Sequence, residues 1–429
     1  MSTPTPATPT TATLTSVTST AAPTTWLELA PDDPYGLATL PYGVFSTPDR
    51  PAPRVGVRVG DRVLDVGAAA ALAGMESETV WMHPTLNAFL GQGASAWAAA
   101  REWLTLVLTD ESYRDVVLPH LVPLDRATLH LPIEVADYVD FYAAEHHARR
   151  ASQIFRPGAG LGENWKHLPV GYHGRAGTIV VSGSDVVRPT GQRRATAGAG
   201  SDPEFGPSTR LDLECELGFV LGGPTTQGSR VQVDEADEHL FGVVLLNDWS
   251  ARDLQAWESA PLGPFLGKSF ATSISAWVTP MAALDAARVS VPGQDDPTPL
   301  PYLTGRSPAR GLDLQLELWV GDTLVTRPRA RDLYWSPEQL VAHLTVGGAS
   351  IRNGDLLGSG TVSGAADDSL GCLLELTWGG RDAFTLDDGS TRTFLDDGDV
   401  VSITATAPGP GGARVGVGEV TGRVRPARP

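Results

Sequence analysis

The sequence predicts a mainly β chain with some helix, organised as a small leading unit and a larger β-rich one. Three observations carry this. Many short segments alternate apolar and polar residues with period two, the pattern of strands. The 429 residues include 47 Gly and 34 Pro, enough to punctuate those segments with turns. Helical patterns are few, and the clearest, near Trp81–Leu90 and Ser95–Leu108, fall in the leading unit. A hydrophobic content of 41% supplies a sizeable core.

The elements follow in order. Residues 1–25, "MSTPTPATPTTATLTSVTSTAAPTT", are uncharged and rich in Ser, Thr, Pro and Ala, and are expected to be a disordered tail. They lack the basic start and apolar run of a signal peptide. Residues 34–131 form the leading unit, in which "RVGVRVGDRVLDV" predicts a hairpin with Gly60-Asp61 at its turn. Residues 132–429 form the large unit, with strands expected in "TIVVSG", "LDLECELGFVLG", "LFGVVLLNDWS", "LDLQLELWVGD", "DVVSITATAP" and "VGVGEVTGRV". Polar, Gly/Ala-rich Gln192–Thr209 is expected to be a surface loop.

Charge narrows the function. Fifty acidic residues against 32 basic ones give a formal net charge of −18, which disfavours nucleic acid and anionic membranes as partners. The most membrane-like stretch, around Ala94 to Leu108, is interrupted by Arg101 and Glu102. Two cysteines, Cys215 and Cys372, are too few for a disulfide framework or a zinc cluster, and point to a reducing cytoplasm.

The chemistry begins in "LDLECELGFV". Alternation places Leu211, Leu213, Cys215 and Leu217 on one strand face and Asp212, Glu214 and Glu216 on the other. Neighbouring carboxylates on that face lie roughly 6–7 Å apart, and no basic residue follows before Arg230. Either the acidic face meets water, or something distant compensates it. In "DYVDFYAAEHHARR", a helix running from Asp140 would set Asp140 and His147 on one face and turn His146 away. In "VVLLNDWSARD", an apolar strand ends at Asp248; the alternatives are a helix cap by Asp248 or Ser250 and a carboxylate with a buried partner. Asp140, Glu214, Glu216 and Asp248 together are hard oxygen donors without thiolate, suited to Mg²⁺ or Ca²⁺. "GPFLGKSF" is one residue too short for a P-loop, and "GSGTVSG" is not a dinucleotide fingerprint.

The strings "DYVDFY", "NWKHLPVGYHGRAGTIVVSG", "NDWSARDLQAWE", "PLGPFLGKSFATSIS" and "DLLGSGTVSG", with "LPYGVFS" near the start, resemble the fumarylacetoacetase family from about Pro34 to Arg425. The resemblance implies a small SH3-like N-terminal domain, a mixed β-sandwich or roll as C-terminal catalytic domain, and a homodimer. It implies metal-dependent hydrolysis of a carbon–carbon bond in a small β-diketone acid, 4-fumarylacetoacetate, in tyrosine and phenylalanine catabolism. Matched motif by motif, Asp140, Glu214, Glu216 and Asp248 fall on calcium ligands, and Lys268 and Thr272 on positions associated with magnesium. His147 falls on the proton acceptor, Glu375 on its companion carboxylate, and Arg252 and Lys268 on catalytic positions. Tyr142, Arg156, Tyr172, Gln255 and Thr361 fall on substrate or other active-site positions. Ser259 stands where the family usually has a Tyr that contacts substrate, which puts substrate affinity in question. Relatives with the same acidic cluster, such as acylpyruvate hydrolases, 2-oxo-acid decarboxylases and dienedioate isomerases, are the alternatives, and a calcium-stabilised structural module is the alternative of another class.

Overall fold

The structure, a computed structural model, describes residues 24–30, 32–73, 75, 78–195 and 202–429. Of the expected tail only residues 24 and 25 are described. Trp26 just beyond it donates its indole N–H to the Val107 carbonyl at 3.1 Å.

The Val-rich hairpin forms as its alternation predicts. Strands Arg50–Val59 and Arg62–Asp65 pair antiparallel from Val59↔Arg62, and the turn uses Gly60 at φ 59°. Strands Tyr42–Thr47, Leu121–Pro123 and Thr128–His130 complete the leading unit, with the Ala94–Thr109 helix beside them.

That unit does not stand apart. Its strand Tyr42–Thr47 pairs with Trp277–Pro280, so one 13-stranded sheet runs through both units. The sheet then passes through Leu240–Asp248, Cys215–Leu221, Leu356–Gly358, Tyr138–Phe141 and Gly171–His173. One face of Cys215–Leu221 contributes Cys215, Leu217, Phe219 and Leu221 to the main core. The other face, with Val220, Val244, Leu246 and Ile274, packs on Tyr42, Phe89, Trp97 and Leu104 of the leading unit. The central strands are therefore buried on both sides, and the acidic face is not the water-facing edge that alternation alone allowed. A second sheet of five strands carries Gln315–Val320, Val400–Pro408 and Arg414–Arg425.

Two local expectations are corrected. Asp140 lies in the strand Tyr138–Phe141, and the helix begins only at Glu145. Long-range pairing explains this: Gly358↔Asp140 and Asp140↔Tyr172 hold the segment extended between two strands. Within the expected loop, Thr190–Arg193 and Glu204–Pro207 form a two-stranded hairpin; residues 196–201 lie outside the described residues.

Candidate active site

Three strands and the residue before one of them deliver the acidic cluster. Asp140 comes from Tyr138–Phe141, Glu216 from Cys215–Leu221, Glu214 from just before that strand, and Asp248 from the end of Leu240–Asp248. Register brings them to one level, with Cys215↔Asn247, Gly218↔Gly358 and Gly358↔Asp140. Ligand oxygens of Asp140, Glu214, Glu216 and Asp248 all lie within 4.8 Å of one another, and all four residues are buried. Gly358 lies between the strands that bear Glu216 and Asp140. A Cβ there would meet Asp140 Oδ1 at 2.7 Å and Glu216 Oε2 at 3.2 Å, so the absence of a side chain lets the carboxylates converge.

Compensation arrives from far along the chain. Lys268 Nζ donates to Asp248 Oδ2 at 2.8 Å and to Glu214 Oε2. Arg252 Nη1 lies 2.8 Å from Glu214 Oε1, and its Nε donates to Asp212 Oδ2 at 2.8 Å. Burial opposes the charge on both cations, but the facing carboxylates outweigh it and hold both pKa values above their ordinary range. For Glu214, burial is likewise outweighed by Lys268 and Arg252, so its carboxyl sits well below the usual range. Asp140 and Glu216 are treated differently. Burial and the neighbouring acids push Asp140 up to about 8 and Glu216 well above the usual range.

The leftover atoms test whether a cation fits. Asp140 Oδ1 and Glu216 Oε1 are buried without a hydrogen-bond partner among the described residues. Orphaned carboxylate oxygens cost free energy unless something pairs them. Hard oxygens with no thiolate among them suit a divalent cation such as Mg²⁺ or Ca²⁺. Lys268 enters this centre as a counter-charge, because a protonated amine has no lone pair to give a metal. Thr272 donates its hydroxyl to Asp248 Oδ1 at 2.9 Å and Tyr172 donates to Asp248 Oδ2 at 3.0 Å, which fixes that carboxylate. Asp248 and Ser250 therefore do not act as helix caps: the helix Arg252–Glu258 has Ala251 at its cap position and no side-chain capping bond.

A second cluster stands across a cavity of about 330 Å³. His147, in the first turn of the Glu145–Phe155 helix, places Nδ1 2.7 Å from Glu375 Oε2. The same oxygen accepts from Ser363 Oγ at 2.7 Å and Cys372 Sγ at 3.3 Å. Burial alone would raise the Glu375 carboxyl, but His147 and these donors more than offset it and hold it below its ordinary value. With Nδ1 committed to Glu375, Nε2 is the ring nitrogen left for a water in the cavity. The Tyr142 ring meets the imidazole edge-on, with centroids 5.2 Å apart.

The cavity brings together Asp140, Tyr142, His147, Tyr172, Glu214, Arg252, Gln255, Lys268 and Thr361 of the expected residues. Glu216, Asp248, Thr272 and Glu375 are not in its lining, and Asp248 and Thr272 border a smaller cavity that shares Tyr172 and Lys268 with it. Two expected contacts are not among its lining. Arg156 is exposed at the end of the His147 helix, and Ser259 is turned onto its own helix, where its hydroxyl donates to the Gln255 carbonyl. Phe155 and Leu262, apolar and more than a third exposed, line the cavity instead. Sequence reasoning passed over them, and the only signal was their position beside the two motif segments. A larger cleft of about 690 Å³ lies between the Ala94–Thr109 helix and residues 280–310. Its Arg288 and Arg310 are paired with Glu338, Asp237 and Asp234, and among the described residues no group of convergent metal-ligating side chains lies there.

Comparison with known proteins supplies the family. The model of the fumarylacetoacetate hydrolase C-terminal domain matches residues 138–425, and that of the fumarylacetoacetase N-terminal domain matches residues 38–132. The fumarylacetoacetase of Bos taurus is 43% identical over 421 residues, covering 94% of this chain and 99% of its own. That of Oryza sativa is 42% identical over 426 residues, covering 94% and 98%. Among solved structures, the fumarylacetoacetate hydrolase of Exiguobacterium antarcticum superposes with a TM-score of 0.50 at 17% identity, covering 91% of this chain and all of that one, a likeness of fold. Both domains, and relatives above 40% identity along nearly their full lengths, place the chain in the fumarylacetoacetate hydrolase family.

Proposed function

We propose that the chain hydrolyses 4-fumarylacetoacetate to fumarate and acetoacetate, the closing step of tyrosine and phenylalanine breakdown. The observation that carries this is one cavity lined both by a carboxylate-held imidazole and by Asp140 and Glu214 of the buried four-carboxylate centre. A structural calcium module would have no use for the imidazole or for the buried guanidinium that also faces the cavity.

The residues divide the work as follows. His147 takes a proton from water through Nε2, and the Glu375 carboxylate steadies the imidazolium that forms. The resulting hydroxide adds to the ketone carbonyl next to the fumaryl double bond. Arg252, whose Nη2 is buried without a partner among the described residues, and Gln255 are assigned as donors to the oxyanion. Collapse of the oxyanion breaks the bond to the methylene, whose electron pair delocalises as an enolate and then takes the proton held on His147, giving acetoacetate and the neutral imidazole again. Thr361, with an unpartnered buried hydroxyl, and Tyr142 supply polar contacts to the substrate. Bound at Asp140, Glu214, Glu216 and Asp248, a Mg²⁺ or Ca²⁺ ion would supply Lewis-acid stabilisation of the diketone and enolate oxygens. The chain is read as a cytoplasmic homodimer; its two cysteines are free and buried, and no described helix is long and apolar enough to cross a membrane.

The test is direct. Purified protein with Mg²⁺ or Ca²⁺ should remove the enol absorbance of fumarylacetoacetate and release one acetoacetate per substrate. Turnover of acetylpyruvate with none of fumarylacetoacetate would overturn the assignment in favour of an acylpyruvate hydrolase.

A further inference from the structure

Asp212, the first of the three alternating carboxylates, belongs to neither cluster. It is fully buried and accepts four hydrogen bonds. Oδ1 takes Leu213 N at 2.8 Å and Leu373 N at 2.8 Å; Oδ2 takes Leu374 N at 2.9 Å and Arg252 Nε at 2.8 Å. The Leu373 and Leu374 amides open the short helix Leu373–Leu376, whose third residue is Glu375. One carboxylate thus ties the strand beside the metal-type centre, the guanidinium facing the cavity, and the turn carrying the partner of His147.

The guanidinium shows what this tie accomplishes. Nε is fixed by Asp212, and Nη1 by Glu214 at 2.8 Å and Gln255 at 3.2 Å. A planar fork held at two nitrogens has no freedom left in the third, and Nη2 is the one without a partner. We propose that Asp212 is a positioning residue for the reaction: it orients Arg252 so that Nη2 is presented to the oxyanion, and fixes that donor relative to the Glu375–His147 pair. This rests on the proposed hydrolysis.

Asp212→Asn keeps the shape and one carbonyl oxygen but turns an amide donor toward Arg252 Nε, so the fork is released. With Arg252 intact, kcat should fall about ten- to a hundredfold, the cost of a misplaced group, while KM changes less than about threefold because uniform binding is untouched. In an Arg252→Met background the same change should alter kcat less than about threefold, since groups acting as one unit are not additive. A merely structural carboxylate would lower kcat equally in both backgrounds, or move only the melting temperature; either result overturns the proposal. If Asp212→Asn does not fold, Asp212→Glu enters the same cycle. The four proteins are assayed on fumarylacetoacetate and, in parallel, on acetylpyruvate. A wild type active only on the second would refute the substrate assignment while the cycle still reports on Asp212.

Discussion

Replacing Glu375 by Gln tests the dyad with the least disturbance of shape. Three donors converge on Glu375 Oε2: His147 Nδ1, Ser363 Oγ and Cys372 Sγ. A Gln carbonyl oxygen can occupy that point, so the imidazole keeps its orientation. The amide then faces Arg150 Nη1, which lies 3.5 Å from Oε1 and is itself anchored on the Gly364 carbonyl. What is lost is the negative charge beside an imidazole that becomes positive as it takes a proton. Two unit charges about 4 Å apart at an effective dielectric constant near 20 interact by about 4 kcal/mol. At about 1.4 kcal/mol per decade that is roughly a thousandfold in kcat. KM should change little, because the charge matters most after the proton has moved. The assay is loss of enol absorbance under saturating substrate, with metal content measured on the same sample. If the variant kept more than a tenth of wild-type kcat, the carboxylate would not be stabilising an imidazolium and the dyad would be wrong. The same substitution has an acid-side consequence. The folded pKa of Glu375 is depressed, so its contribution to stability is complete above the unfolded value near 4.3 and is lost as pH falls through the folded value. Melting temperatures of the Gln variant should therefore fall less steeply than the wild type's below about pH 4.3.

Removing bound metal with chelator should abolish turnover and lower the melting temperature, and restoring Mg²⁺ or Ca²⁺ at a hundredfold excess over its Kd should return about 2.7 kcal/mol of stability; scanning calorimetry with and without the ion reads this. Gly358→Ala puts a methyl 2.7 Å from Asp140 Oδ1, so metal affinity should drop at least about tenfold with secondary structure unchanged, as followed by isothermal titration and circular dichroism. Ser259→Ala should change kcat/KM less than about threefold, because the Ser259 hydroxyl serves its own helix carbonyl; a larger loss in steady-state kinetics would return that residue to the substrate. Asp355, with its carboxyl pushed up to about 6 mainly by burial, favours folding when protonated, and that contribution is lost as pH rises through about 6. Asp355→Asn should thus raise stability at pH 8 by about 1–3 kcal/mol relative to wild type and not at pH 4, as read by denaturant titration at the two pH values.

Much of this was legible in the sequence where the determinants are local. Val55, Val57 and Val59 alternate up to a Gly-Asp turn, Leu64 pairs with Val57 beyond it, and a hairpin results. Leu211, Leu213, Cys215 and Leu217 do share one apolar face. The errors occur where distant segments decide. Tyr138–Phe141 is extended because Leu356–Gly358 and Gly171–His173 flank it, neither of which is near in sequence. Asp140 and His147 still meet in one cavity, through the fold and not through a shared helix face. Motif matching found Glu375 without saying what holds it, since Ser363, Cys372 and the Asp212 bonds to its helix become visible only once the chain is folded. Arg156 and Ser259 lie between the familiar strings and not within them; the first is exposed and the second bonds its own helix carbonyl, neither of which neighbouring motifs specify.

The repulsion written into "LDLECELGFV" is resolved by giving its carboxylates different partners. Asp212 is neutralised by Arg252 and accepts from three backbone amides besides, and Glu214 is shared between Arg252 and Lys268. Glu216 has only the Gly360 amide on Oε2, at 3.1 Å, and nothing on Oε1. With Asp140 and Asp248 the site holds five carboxylates against two cationic side chains, an excess of three negative charges. The excess is uneven. It falls on Asp140 and Glu216, the two acids with orphaned oxygens and raised carboxyl pKa values, and these flank the side-chain-free gap at Gly358. Without a cation those two must hold protons or repel each other. A divalent ion held by these residues would leave an excess of one and supply the counter-charge that Asp140 and Glu216 lack. The alternation that looked like a fault in the strand is therefore what a metal centre requires when its ligands must come from a buried sheet.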